Sequence, residues 1–274
     1  MRIIGLCRFS YPALGGFRRQ LHNVSEREAY LYDPERMELR FRHFEMLTLP
    51  SIQAQEDEDF TFLIMIGENM PFPYLERLQD LTTLVPQIKI VPTPAMQHRP
   101  AAQSVILNEL GEDRPESIQF RLDDDDAVGK EFVRIVRRRA NQTARMRRHW
   151  RNMAFEFRKG FFVNLSPDGI RAKRVKTEFL SCGLAATFRP DDPLTIMNYP
   201  HHKLHNKMPT LIETSPAMYL RSLHEDNDSN ASKQIGLLEP LSPKTRLLFQ
   251  ERFNVDEGRV RTTFSAPTSP REAG

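Results

Sequence analysis

Four consecutive carboxylates, Asp123-Asp124-Asp125-Asp126, follow directly on the stretch Ser117-Ile118-Gln119-Phe120-Arg121-Leu122. Carboxylates at that spacing repel one another strongly when ionised together, and either solvent or a cation must relieve the repulsion. An apolar strand that ends in acids sets them at the carboxyl edge of a sheet, where open α/β folds hold ligands. Carboxylate oxygens suit Mg2+ or Mn2+, ions that bridge a few protein carboxylates to phosphate oxygens. Adjacent side chains do not all point one way, so one or two are expected on the metal and another on a ribose hydroxyl. The plain alternative is an exposed acidic turn. The run by itself does not separate a metal-assisted transferase from a metal-dependent hydrolase.

Strand and helix signals alternate through the elements that must position these acids. Arg2 to Cys7 reads as a strand, and Pro34 opens a helix with Met37, Phe41, Phe44 and Leu47 on one face. Phe60 to Ile66 is a continuous apolar strand, followed by a helix through Tyr74, Leu75, Leu78 and Leu81. Ile88 to Val91 is a short strand, Ala101 to Leu110 a helix, and Ile118 to Leu122 the strand feeding the acids. Three βα units and a fourth strand predict an α/β fold, a mostly parallel central sheet with helices on both faces. The second half reads as a helix from Lys130 to about Arg148, strands at Phe161–Val163 and Ala185–Phe188, and a long loop over 198–230 with a short helix near Ala217–Leu223. Residues 1–254 are expected to form a single domain, with 1–127 as the half that carries the acid run and 128–254 as the other half. The polar stretch 255–274 is expected to be a flexible tail.

Composition narrows the class. The chain has 274 residues, 39% hydrophobic and 27% charged, with a formal net charge of +3, as a soluble globular protein does. Cys7 and Cys182 make no disulfide framework, and no apolar run is long enough to span a bilayer. With no cleavable signal at Met1-Arg2-Ile3-Ile4, the expected location is cytoplasmic. No GxGxxG or GxxxxGK[ST] loop, HExxH pair or GxSxG elbow is present, which removes dinucleotide, P-loop, zincin and α/β-hydrolase chemistry. The basic stretch from Arg137-Arg138-Arg139 through Arg145, Arg147, Arg148 and Arg151, with Trp150, reads first as a solvated helix face. Contact with an anionic leaflet, and so a place peripheral to the inner membrane, is the other use open to residues 137–151. Nucleic acid is not an expected partner, since no reading module accompanies the charge.

In this setting the chain resembles glycosyltransferases of the nucleotide-diphospho-sugar (GT-A) type, and within them the bacterial rhamnosyltransferase family. The resemblance runs over about residues 1–230. It is carried by Arg8-Phe9-Ser10, Arg42-His43-Phe44-Glu45, Thr48-Leu49-Pro50-Ser51-Ile52-Gln53-Ala54-Gln55, Asp59-Phe60-Thr61-Phe62 and Phe120-Arg121-Leu122-Asp123-Asp124-Asp125-Asp126-Ala127. Late in the chain it continues with Tyr219-Leu220-Arg221-Ser222-Leu223-His224, then Asn227 and Ser229. It implies transfer of a sugar, a rhamnosyl group by the family's name, from a nucleoside-diphosphate donor to a glycan or glycolipid hydroxyl with Mn2+ or Mg2+, residues 1–127 being the nucleotide-sugar half and 128–254 the acceptor half.

Carried onto this sequence, Asp123 is the sugar-nucleoside contact and Asp125 the metal ligand, with Asp124 and Asp126 as alternatives. His224 is the expected late metal ligand and His201 its substitute. Arg8 and Arg121 offer donor forks to a diphosphate, and Arg99 and Gln103 are further donor contacts. An inverting transfer needs a carboxylate over the acceptor hydroxyl. Among Glu178, Asp191, Asp192 and Glu213 the turn residues Asp191 and Asp192 are preferred. Two other classes stay open: a metal-dependent phosphate-ester hydrolase or nucleotidyl enzyme, and a noncatalytic glycan-binding module.

Overall fold

The computed structural model describes residues 1–15, 23–224 and 234–267. Four parallel strands, β1 (Arg2–Arg8), β2 (Thr61–Gly67), β3 (Ile88–Thr93) and β4 (Ser117–Arg121), stand side by side in the order β3-β2-β1-β4. Beyond β4 the sheet continues with β9 (Leu184–Phe188), β6 (Met153–Phe157) and β10 (Thr210–Glu213). β9 runs antiparallel to both β4 and β6, and β10 is parallel to β6. The expected mostly parallel central sheet is present, with one reversed strand inside it.

Two-residue periodicity sorts the side chains to two faces. Ile3 and Cys7 of β1, with Phe62, Ile64 and Ile66 of β2, join a core covered by α2 (Pro34–His43), α4 (Phe72–Thr82) and α6 (Phe132–Gln142). Ile4, Leu6, Leu63 and Met65 face α5 (His98–Leu110) through Ala101, Ala102, Val105 and Ile106. Helices thus cover both faces. At Gly5 a side chain would collide with the rings of Phe120 and Phe62, so the stacked phenylalanines of the core require glycine there.

A second sheet, in the order β12-β8-β7-β11-β5, contains β5 (Ala127–Val128), β7 (Lys159–Ser166), β8 (Gly169–Lys176), β11 (Tyr219–Ser222) and β12 (Glu239–Pro240). It leans on α7 (Pro243–Phe253) and α8 (Glu257–Ser265) through Phe161, Val163, Leu220, Phe249, Phe253 and Val260.

Three expectations are corrected. The helix expected near Ala217–Leu223 is the strand β11, pinned between β7 and β5. The helix from Lys130 closes at Gln142, and only a single tight turn follows at Met146–Arg148. The stretch beyond 254 is not a free tail through its first half. Asp256 caps α8 by accepting from the Arg259 N–H at 2.7 Å. Val260 and Phe264, one helical turn apart, are buried, and Arg42 donates to the carbonyls of Phe264 and Ala266. Residues 268–274 lie outside the described residues, as do Asn227 and Ser229. Among the described residues no helix is long and apolar enough to cross a membrane.

Candidate active site

The acids occupy a tight turn at the carboxyl rim of the central sheet, closed by the Asp126 N–H donating to the Asp123 carbonyl at 3.1 Å. The segment that holds this turn is the continuation of α2. After His43 a π-helical turn (Phe44–Thr48) leads into α3 (Leu49–Gln53). Thr48 Oγ1 donates to the Asp126 carbonyl at 2.8 Å. Gln55 Nε2 donates to the Gly129 carbonyl at 3.0 Å, and Gln55 Oε1 accepts from the Val133 N–H at 3.0 Å. The Thr-Leu-Pro-Ser-Ile-Gln-Ala-Gln stretch is therefore a cradle for the backbone on both sides of the acids.

Each acid has a different environment. Asp124 is fully buried and receives the Arg40 fork, Nε to Oδ2 at 3.0 Å and Nη2 to Oδ1. Asp125 Oδ2 accepts from Arg40 Nη1 at 3.2 Å and from His224 Nε2 at 2.8 Å. Burial works to raise the Asp125 pKa, and Arg40 and His224 overcome it and hold the carboxyl well below the usual carboxylate range. Asp126 accepts from the Ser222 N–H at 2.9 Å, yet burial and the adjacent Asp125 charge push its pKa well up. Asp123 alone keeps a substantially exposed side chain and pairs with Arg8 Nη2 at 3.0 Å.

The strand β11 supplies the far half of the site. Paired antiparallel to β5, it runs back past the acid turn and delivers Arg221, Ser222 and His224 to it. The Arg221 guanidinium makes no hydrogen bond to a described group, its residue being held by the pairing of β11 with β7. Burial would lower its pKa, and Asp126, with Asp123 and Asp125 nearby, raises it instead. Arg121 is in greater excess. Its Nε is buried with no partner among the described residues, and Nη2 reaches only the Tyr199 carbonyl at 3.5 Å. Burial, with Arg8 and Arg99 adding like charge, brings Arg121 down to about 10 even though Asp123 opposes them. His98, 2.9 Å from Arg8, is lowered to about 4 by burial and by Arg8 and Arg121. His201 packs on the same side with Nδ1 at the Phe179 carbonyl.

A divalent ion does not suit this donor set. Ligation through His224 Nε2 would put the ring proton on Nδ1, and Nδ1 is buried with no acceptor among the described residues. Facing an ionised carboxylate at 2.8 Å, Nε2 carries the proton instead and donates it to Asp125. Both Asp124 oxygens and Asp125 Oδ2 are already committed to Arg40. Among the described residues no group of three or more His, Cys, Asp or Glu side chains has the geometry to hold a metal ion. The structure thus brings together Asp125, Asp126 and His224, the expected metal ligands, but as a hydrogen-bonded cluster closed by arginine.

Asp191 and Asp192 are not brought to the site. Because β9 is antiparallel to β4, its end lies at the opposite rim, where the Asp191 N–H donates to the Arg114 carbonyl ahead of β4. Asp192 accepts from Arg151 and from the Leu194 N–H, which makes it a loop clamp. Gln103 is also a tether, donating to the Pro193 carbonyl at 2.6 Å and accepting from Asn198. Arg99 is exposed beside Arg121 and His98. Of the other two carboxylates weighed as a base, Glu178 is tied to Arg158 and Glu213 to Arg139. The expected basic face is largely closed as well, Arg137 on Asp57 and Arg147 on Glu116.

Arg40, Arg221, His98 and the buried His43 are site residues that sequence reasoning missed. Arg40 lies one helical turn before His43, and that spacing was the available signal. A helix beginning at Pro34 with Met37 and Phe41 on its core face puts position 40 at the border of that face.

Fold and site together are an α/β domain whose parallel strands end at an acid turn ringed by arginines. Residues 2–235 match the model of the family described as "Putative rhamnosyl transferase", and the chain belongs to that family. Among solved structures it is similar to residues 1–349 of S. aureus TarS in complex with UDP-GlcNAc. That likeness has 10% identity and a TM-score of 0.44, covering 97% of this chain and 71% of that one. The TarS complex with UDP aligns at 8% identity and a TM-score of 0.40, covering 97% and 70%. A search of curated proteins gave no match.

Proposed function

We propose that the carboxyl rim binds the diphosphate of a nucleoside-diphosphate sugar and that the chain transfers the sugar, a rhamnosyl group in keeping with its family, to a hydroxyl of a glycan or glycolipid. The observation that carries this reading is the surplus of fixed positive charge. Arg8, Arg121 and Arg221 surround Asp123, the one acid with an exposed side chain, and Arg121 is left buried with its Nε unpaired. A buried guanidinium N–H without a partner is costly in the free protein, and an anion relieves the cost on binding.

During transfer the bond from the sugar carbon to the diphosphate oxygen breaks while the acceptor oxygen attacks that carbon. Negative charge then grows on the leaving diphosphate. Fixed guanidinium donors stabilise such charge without reorganising at the moment of reaction. Asp123, held ionised by Arg8 against partial burial, is free on its exposed side to accept a ribose hydroxyl.

The test is a thermal-shift and calorimetric screen of UDP, GDP and dTDP. One of them should stabilise the chain, and Arg121→Met should weaken its binding by at least about 10-fold. Stabilisation by none would sink the proposal, and turnover of simple phosphate esters without an acceptor would replace it with the hydrolase reading. Membrane contact through residues 137–151 rests on the exposed Arg138, Arg145 and Arg148 beside Trp150, 51% exposed. Sedimentation with anionic and neutral vesicles tests it, and equal binding to both would remove it.

A further inference from the structure

We propose that Arg40 is the resident counter-cation of the acid turn, so that a nucleoside diphosphate binds at the carboxyl rim without a divalent ion. The argument starts from charge. Asp124 and Asp125 are adjacent buried carboxyls, both in contact with Arg40, and two such groups sit together as carboxylates only beside a positive partner. The Arg40 guanidinium reaches both at once, Nε and Nη2 to Asp124 and Nη1 to Asp125. Its planar fork fixes two carboxylates in a way that a single ammonium group does not.

Arg40 is also built in rather than visiting. It projects from α2, its side chain is only 12% exposed, and the segment running on from α2 holds the acid turn through Thr48. His224 completes the arrangement. It packs against His43, with ring centres 4.6 Å apart and planes tilted by 40°, and spends its Nε2 proton on Asp125. His43 is itself fixed, its Nδ1–H donating to the Leu39 carbonyl at 2.9 Å. That leaves Arg40 Nη1, 3.5 Å from His224 Nε2, as a packed neighbour of the imidazole rather than its donor. The diphosphate then meets the arginines on the exposed side, Arg8, Arg121 and Arg221, and needs no ion to bridge it to the carboxylates.

The nucleotide half of this inference rests on the donor-site reading above, and the metal half does not. Two measurements on the full chain separate them. Mn2+ titration followed by electron paramagnetic resonance, with no nucleotide present, should show no site tighter than about millimolar in the wild type, the weak range of carboxylate sites. Arg40→Met should tighten Mn2+ binding by 10-fold or more, because two carboxylates lose their cation, and Arg40→Lys should lie between. A micromolar Mn2+ site in the wild type would overturn the proposal whatever the variants do, including if Arg40→Met fails to fold. In the second measurement, calorimetry of the nucleoside diphosphate found in the screen should give affinities with EDTA and with Mn2+ that agree within twofold. A tenfold loss in EDTA would overturn metal independence. If no nucleotide binds under either condition, the donor-site reading fails while the Mn2+ titration still decides the role of Arg40.

Discussion

The two rims of the central sheet are both rich in arginine, and they use it differently. At the amino rim many guanidiniums are closed, while Arg138, Arg145 and Arg148 of the basic stretch stand exposed in solvent. Arg2 pairs with Glu109, Arg137 with Asp57 and Asp59, Arg147 with Glu116 and Arg151 with Asp192, while Arg189 donates to the carbonyls of residues 147, 148 and 150. At the carboxyl rim Arg40 is closed in the same way, but Arg121 and Arg221 are not, and Arg8 is shared between Asp123 and His98. Charge that is neutralised within the fold organises loops. Charge left partly unneutralised, at the rim where the parallel strands end, is available to a ligand. The contrast identifies a binding surface better than counting basic residues does.

The largest effect should come from breaking the closed pair at the carboxyl rim. Arg40→Met should cost about 3–5 kcal/mol in denaturant unfolding, since it strands two buried carboxylates. Arg2→Met at the other rim should cost no more than about 1 kcal/mol, its side chain being 41% exposed. Equal losses would erase the distinction between the buried pair and a surface pair.

Next in size is a pH effect. Burial and the neighbouring His224 bring His43 down to about 3 from 6.5. A histidine with a depressed folded pKa contributes stability that is complete above pH 6.5 and is lost as pH falls toward the folded value. From pH 7 to pH 5 that loss is about 2 kcal/mol. The fall in stability over this range should therefore be about 2 kcal/mol smaller in His43→Asn, measured by paired urea titrations. An unchanged slope would mean that the ring titrates alike in the folded and unfolded chains, with no depression by burial.

Arg121→Met should separate function from stability. Donor affinity falls by about 10-fold, while the free protein holds its stability or gains about 1 kcal/mol, because an unpaired buried charge is removed. A loss of both would place Arg121 among the closed arginines. The smallest effect is expected for Asp192→Asn, whose carboxylate clamps Arg151 at the amino rim. Transfer rate at saturating donor and acceptor should stay within about twofold of wild type, and a loss of 100-fold would return Asp192 to the catalytic role.

Much of the carboxyl rim was legible in advance because it depends on local pattern. Alternating apolar runs and helix-period faces give strands and helices in order, and a fourth strand ending in acids puts them at the rim. The base assignment failed for a different reason. The apolar run Ala185–Phe188 predicts a strand, but hydrophobic alternation is the same in either direction, and the antiparallel pairing of β9 sends Asp191 and Asp192 to the far rim. The polar composition of the stretch beyond 254 predicts a tail, while one pair, Val260 and Phe264, is enough to seat a capped helix on the second sheet.

The sequence by itself determined the acid run, the strand that presents it and the family to which the chain belongs. Tertiary structure decided what the acids are for. Arg40 comes from 84 residues before Asp124, and His224 from 99 residues after Asp125. Only the packing of α2 beneath the turn and the antiparallel pairing of β11 with β5 bring them there. Coulomb interactions and hydrogen bonds act across a few ångströms of space and take no account of separation along the chain. A motif of four aspartates therefore shows where charge is gathered, and the fold shows what neutralises it.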